Sequence, residues 1–121
     1  MPSWGSERAE LVAEHVLRAV EQIPSGRVCA YGDIAAIVGC GARQVGSVMR
    51  RHGSGVCWWR VVGHDGSLVV FAEALPHWQD EGIGLTDDGR SCRIDVHRAD
   101  LDLLARAYER AAADLTPLRG A

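Results

Sequence analysis

The stretch Gly32-Asp33-Ile34-Ala35-Ala36-Ile37-Val38-Gly39-Cys40-Gly41-Ala42-Arg43-Gln44-Val45-Gly46-Ser47-Val48-Met49-Arg50-Arg51 decides the fold. Ile34, Ala35 and Val38 share one side of a short helix over residues 32–38, and Gly39-Cys40-Gly41 breaks the chain. A second helix fits Ala42 to Arg51. Two short helices joined by a glycine-containing turn of about three residues are the signature of a helix-turn-helix. In the second helix Val45, Val48 and Met49 form an inward stripe, and Arg43, Gly46, Ser47 and Arg50 lie on the other face. Glycine inside a helix costs about 1 kcal/mol relative to alanine. Gly46 therefore marks a close approach, either of another helix or of a nucleic-acid groove. Periodicity leaves both open.

Upstream, residues 7–23 read as an amphipathic helix with Leu11, Val12, Val16, Ala19, Val20 and Ile23 inward. Ser6 can cap its start, and Pro24-Ser25-Gly26 ends it. Downstream, the flexible His52-Gly53-Ser54-Gly55 leads to Val56-Cys57-Trp58-Trp59-Arg60-Val61-Val62, whose second half reads as a strand. His64-Asp65-Gly66-Ser67 is turn chemistry, with Leu68 to Phe71 a possible returning strand. Leu75 to Glu81 fits a short helix stopped by Gly82. Asp87-Asp88-Gly89 suggests a hairpin before the alternating Cys92, Ile94 and Val96. Asp100 to Ala113 fits a final helix with Leu101, Leu104, Ala105 and Tyr108 inward. The expected class is mainly α (α+β), winged-helix-like, with small β-hairpins.

The 121 residues suit one domain, 1–121, and 47% hydrophobic content argues against disorder. Net charge is −3, but its distribution is uneven. Residues 27–60 carry five arginines (Arg27, Arg43, Arg50, Arg51, Arg60) against Asp33, a net +4, between a −2 N-terminal and a −5 C-terminal flank. That is the electrostatic footprint of a nucleic-acid partner, although charge runs more often just solvate a surface. Cys29, Cys40, Cys57 and Cys92 show no C-x-x-C spacing, so four reduced thiols are expected, with no metal and no cofactor. No apolar run approaches the roughly 20 residues that span a bilayer, and no signal peptide is visible at the start. A cytoplasmic monomer with no membrane partner is the expectation.

Three segments in fixed order resemble the DNA-binding domain of the O6-alkylguanine-DNA alkyltransferases (the methylated-DNA–protein-cysteine methyltransferases) and their alkyltransferase-like relatives. Ile23-Pro24-Ser25-Gly26-Arg27-Val28-Cys29-Ala30-Tyr31-Gly32-Asp33-Ile34-Ala35 resembles the family's I-P-x-G-x-V-x-x-Y-x-x-[IL]-A. Ala42-Arg43-Gln44-Val45-Gly46-Ser47-Val48-Met49-Arg50 resembles A-R-x-V-G-x-A-M. Trp58-Trp59-Arg60-Val61-Val62 stands where enzymes of the family have P-C-H-R-V and the non-enzymatic branch has P-W-H-R-V. Each motif alone is weak, but three in order are specific. The match is strongest over residues 10–70 and leaves the acidic part, 82–121, unassigned.

The resemblance implies a fold and a role. The second helix of the pair would lie in the minor groove, with Gly46 and Ser47 allowing close approach. Arg43 would enter the duplex as a finger, filling the gap left by a flipped nucleotide. Tyr31 would push on the phosphate 3′ to the lesion, and Arg50 and Arg51 would touch backbone. Flipping costs a few kcal/mol, less where pairing is already damaged. In the enzymes a cysteine thiolate accepts the alkyl group, activated by the adjacent histidine through a water and a glutamate. Register from Arg60-Val61 puts Trp58 at that cysteine and Trp59 at that histidine, and the glutamate has no evident counterpart. Indole is no nucleophile, but Trp58 offers a broad surface for an alkyl group or base. Trp59 reads as core. The expected site is Tyr31, Arg43, Gly46, Ser47, Arg50, Arg51, Trp58 and Arg60, with no catalytic residue.

The implied function is that of a non-catalytic DNA-damage sensor. It would bind O6-alkylguanine in double-stranded DNA, flip it into a tryptophan-lined pocket and promote nucleotide excision repair by recruiting repair proteins. The alternatives are a suicidal alkyltransferase using Cys57 and a general DNA- or protein-binding helix-turn-helix. Cys57 stands at the family's proline, and no histidine follows it. His52 sits near a position where the family often has asparagine. Beyond Gly66 the match fades: where the non-enzymatic branch has a charged segment with an arginine over the pocket, this chain has Leu68-Val69-Val70-Phe71.

Overall fold

The computed structural model describes residues 4–118, with side chains from Glu7 onward. Helix α1, Trp4–Glu21, buries Val12, Val16, Ala19 and Val20. It starts ahead of Ser6, so Ser6 lies in the first turn rather than at the cap. Its end tightens through short-range bonds from the Gln22 and Ile23 amides to the Ala19 and Val20 carbonyls. Strand β1, Cys29–Ala30, leads directly into α2, Tyr31–Val38. The Asp33 carboxylate accepts from the Ala30 amide at 2.9 Å, closing the first turn of α2. Gly39, at φ 90°, lets the chain reverse, and α3 follows over Ala42–His52. Gln44 accepts from the Gly41 amide at 2.8 Å, as an N-terminal cap does. The expected helix-turn-helix is therefore α2 and α3, with α1 packed across both.

The strands differ from expectation. β1 pairs with β2, Val61–Val62, in parallel, Cys29 opposite Val61 and Ala30 opposite Val62. A parallel pair needs a long crossover, and α2 with α3 supplies it. Successive side chains of a strand point to opposite faces, so this small sheet divides two cores. Cys29 and Val61 join α1, α2, α3 and, from the last helix, Leu104 and Tyr108 in one. Val28, Ala30 and Val62 join Trp78, Ile83, Cys92 and Ile94 in the other.

The expected return strand over Leu68–Phe71 does not form. After a turn closed by the Gly63 amide on the Ser67 carbonyl (2.8 Å), Val69 and Val70 turn, and α4 runs over Phe71–Glu81. Leu68 and Phe71 pack on the second core, and the Val70 carbonyl accepts from Glu73 and Ala74. Tertiary packing here overrides the strand preference of β-branched residues. Gly66 is required: it sits at φ +85°, and a Cβ there would lie 2.1 Å from the Cys92 carbonyl oxygen. Asp87-Asp88-Gly89 makes its turn, with one antiparallel bridge, Leu85 to Cys92. Ile94 and Val96 are not a strand: Ile94–His97 is a single helical turn, α5.

Helix α6, Leu101–Ala111, is capped by Asp100, whose carboxylate accepts from the Asp102 and Leu103 amides, both at 3.1 Å. It lies along α1. There, buried His15 bonds Tyr108 Oη through Nδ1 (2.6 Å) and the Thr116 carbonyl through Nε2 (2.7 Å). A carbonyl only accepts, so Nε2 carries the proton and donates. Arg8 and Arg18 add bonds from α1 to the Leu118 and Ala111 carbonyls.

Candidate nucleic-acid interface

An open cleft of about 960 Å³ runs along the outer face of α3. Tyr31, Arg43, Gly46, Arg50 and Trp58 all line it, with Leu68-Val69-Val70 as its far lip. Tyr31 reaches it because β1 hands directly into α2. Burial pushes the Tyr31 phenol up, against the opposing pull of the Arg50 guanidinium, so the hydroxyl is a neutral donor at physiological pH. Arg43 and Arg50 are exposed along α3. At Gly46, a Cβ would meet nothing closer than Arg50 Nη1, at 3.8 Å. No helix packs there, which removes the helix-packing explanation for this glycine and leaves an open, nearly smooth surface.

Trp58 joins the cleft at the end of α3. Gly53 packs closely beneath it: a Cβ there would lie 3.2 Å from Met49 Cε, the end of a flexible side chain, and at ordinary contact distance, 3.7 Å, from Trp58 Cβ. The Trp58 ring is held by edge contacts with Trp59 (5.7 Å between centroids) and His77 (5.6 Å). His77 stacks on Trp59 at 3.8 Å and 10°. Trp78, fully buried, donates from Nε1 to the Trp59 carbonyl at 2.8 Å. Trp59 is thus scaffold, and Trp58 is the aromatic surface facing the cleft.

Beneath this cluster lies a residue that the sequence motifs do not indicate. Glu81 accepts from Trp59 Nε1 (2.9 Å), from the Gly26 amide (2.9 Å) and from Arg60 Nη2 (2.6 Å). Burial works to raise this carboxyl. The bonds from Arg60, Gly26 and Trp59 outweigh it and hold Glu81 at about 2. Arg60 also donates to the Ile23 carbonyl at 2.8 Å. It is consequently a structural strut, committed to the interior and absent from the cleft, contrary to its place in the expected site. Ser47 and Arg51 also fall elsewhere. They line a separate depression of about 320 Å³ between α1 and α3, beside Ala9, Glu10 and Val48.

The four cysteines are all free thiols. Burial pushes every one of them up, Cys29 to about 12 and Cys92 to about 11. Cys57 Sγ donates to the Val20 carbonyl at 3.3 Å, on the α1 side, and does not line the cleft. No helix among the described residues is long and apolar enough to cross a membrane.

A helix-turn-helix whose second helix walls a cleft with two exposed guanidiniums and an indole has the layout of a nucleic-acid-binding domain. The sequence profile of the family described as 6-O-methylguanine DNA methyltransferase, DNA binding domain, matches residues 12–82. The chain belongs to this family, as an alkyltransferase-like member. It is 33% identical over 100 residues to the DNA base-flipping protein of Escherichia coli (strain K12), covering 76% of this chain and 75% of that one. The figures are the same for the DNA base-flipping protein of Shigella flexneri. The crystal structure of S. pombe Atl1 in complex with damaged DNA containing O6-carboxymethylguanine superposes with a TM-score of 0.61 at 27% identity. It covers 78% of this chain and 96% of that one.

Proposed function

We propose that this protein is a non-catalytic sensor of O6-alkylguanine in duplex DNA. In this reading α3 enters the minor groove, and the lesion is flipped against Trp58. The observation that carries the reading is the convergence on one cleft of Trp58, at the family's acceptor position, with Tyr31, Arg43, Gly46 and Arg50. Tyr31 would press on the phosphate beside the lesion while Arg43 fills the vacated stack. The bound, distorted site would then be recognised by nucleotide excision repair proteins, with the sensor acting as a cytoplasmic monomer. The alkyltransferase alternative is disfavoured by Cys57, whose thiol is raised by burial and bonded to Val20 on the far side of the chain.

The test is affinity for a duplex holding one O6-methylguanine against the same duplex unmodified, with intact-protein mass measured after incubation. Tighter binding to the lesion with unchanged mass is expected. Equal affinities, or a methyl gain on Cys57, would defeat the proposal. Within that assay Arg43→Ala should cost about 1–3 kcal/mol on lesion DNA, the worth of one aromatic- or arginine-replaced base stack. Arg51→Ala should at most shift the salt slope by about one unit, equally on both duplexes. Matching behaviour of the two variants would refute the finger role.

Trp58→Cys should not transfer alkyl groups efficiently. A thiol there keeps a pKa at or above about 8.5, so only a few per cent is thiolate at neutral pH. Trp58→Cys with Trp59→His should react at least about tenfold faster, because an imidazole at 59 would stand where the indole now donates to Glu81. Radiolabelled methyl transfer measures both. Rapid transfer by the single variant would implicate His77, the imidazole in contact with Trp58, rather than His52 or His64.

A further inference from the structure

His97, Arg98 and Ala99 lie beyond residues 12–82, the span that the family profile matches. They nonetheless grip the strand that delivers Tyr31 to the cleft. Both backbone groups of Val28 bond to them: its amide donates to the His97 carbonyl at 3.0 Å, and its carbonyl accepts from the Ala99 amide at 2.9 Å. The pairing is parallel, with Val28 opposite Arg98. The chain entering α2 is therefore held twice, by β2 through Cys29 and Ala30 and by residues 97–99 through Val28.

Arg98 carries the grip into α2. Its Nε donates to Asp33 Oδ2 at 3.1 Å, and the same oxygen accepts from the Ala30 amide at 2.9 Å. The ring so closed spans Tyr31 and Gly32. A Cβ at Gly32 would meet nothing within 4 Å, so no packing stiffens the turn there, and glycine is a poor helix former. The direction in which Tyr31 leaves the backbone thus depends on the Asp33 carboxylate. Asp33 is also the only acid among residues 27–60, two positions from a tyrosine that would press on a phosphate. Arg98 offsets that charge as it holds the carboxylate.

We infer that Arg98 is a positioning residue for base flipping: through Asp33 it fixes the first turn of α2, and with it the place where Tyr31 meets the DNA backbone. This rests on the lesion-binding reading above, and it gives a part in that function to the segment beyond the family profile. The side chains of Arg98 and Asp33 are 45% and 17% exposed. An ion pair open to solvent on one side is worth up to about fivefold in an equilibrium constant, which sets the size of the effect.

The experiment measures dissociation constants of the full chain for a duplex with one O6-methylguanine and for the same duplex unmodified. The variants are Arg98→Ala, Arg98→Lys, Asp33→Asn, Arg106→Ala, Tyr31→Ala and Tyr31→Ala with Arg98→Ala, each shown to be folded by circular dichroism. Arg98→Ala should lower the preference for the lesion about twofold to fivefold. Asp33→Asn, whose amide oxygen can still cap α2 but offers Arg98 no charge, should do the same, and Arg98→Lys should restore most of the preference. Arg106, exposed on α6, controls for lost positive charge, and Arg106→Ala should leave the preference unchanged. With Tyr31 already replaced, Arg98→Ala should lower the preference no further. An undiminished preference in both Arg98→Ala and Asp33→Asn would overturn the inference and leave lesion binding standing. A loss of the same size with and without Tyr31 would overturn it too, since Arg98 would then act by another route. So would an equal loss on both duplexes, the mark of a generic charge contact. No preference of the parent protein for the alkylated duplex would instead defeat the underlying lesion reading.

Discussion

Glu81→Ala is expected to lower folding stability by about 3–5 kcal/mol, read as a shift in the denaturation midpoint. The Glu81 and Arg60 side chains are 8% and 16% exposed and meet at 2.6 Å. Removing one partner of such a pair strands the other as an uncompensated buried charge, and that is where the cost arises. Gly26 and Trp59 would lose an acceptor in the same step. Replacing both charges together, as Arg60→Met with Glu81→Leu, should recover much of the loss, because a buried pair is worth little more than apolar residues of similar volume. Acid should reveal the same group. Its carboxyl is about 2 in the folded protein against an ordinary 4.5. The stability it adds is complete above pH 4.5 and drains away as the pH falls toward 2. Glu81→Gln should flatten the pH dependence of stability across that window. An unchanged acid limb would show that the carboxylate is not held as the geometry indicates.

Gly46→Leu should act in opposite directions on two measurements. Nothing within the protein obstructs a side chain at this position, and glycine is a poor helix former, so the fold should tolerate or gain from the change. Binding should weaken by roughly tenfold to a hundredfold, about 1–3 kcal/mol, the cost of forcing extra methylenes into a close-packed contact. Melting temperature and DNA affinity together decide it. A stable variant that binds duplex DNA as well as the parent would mean that α3 does not approach the groove at Gly46. A destabilised variant would mean that the space at this position is not open.

The helix-turn-helix was legible because its signals are local. Gly39 and Gly41 punctuate the chain, and Ile34, Val38, Val45 and Val48 repeat at helical spacing and are buried. The site was legible in part for the same reason. At 100° per residue, Gly46, Arg50 and Arg43 fall within about 60° of one another on α3. Ser47 and Arg51 lie further round, toward Gln44 and Val48, and so line the depression against α1 instead. Coarse division of a helix into inner and outer faces does not resolve that boundary. The inward placement of Arg60 has no local signal: its partner is 21 residues away, and Glu81 also ties to Gly26, 55 residues distant. No local pattern marks a carboxylate whose partners come from separate elements. Leu68 to Phe71 misled in another way. Its composition favours a strand, but among the described residues the pairing here is an isolated antiparallel bridge at Ser67, to Ser91, and the packing of Leu68 and Phe71 on the second core accompanies the helical conformation.

The fastening of α1 to residues 108–118 has a consequence for the order in which the molecule is made. His15 leaves the ribosome well before Tyr108 and Thr116, which complete its environment and follow 93 and 101 residues later. Arg8 and Arg18 likewise wait for Leu118, Ala111 and Asp114. The helix-turn-helix emerges in between and rests on α1. Contacts this distant in sequence close late and at an entropic cost. Until those partners have been made, the recognition helix rests on a support whose own fastenings are incomplete.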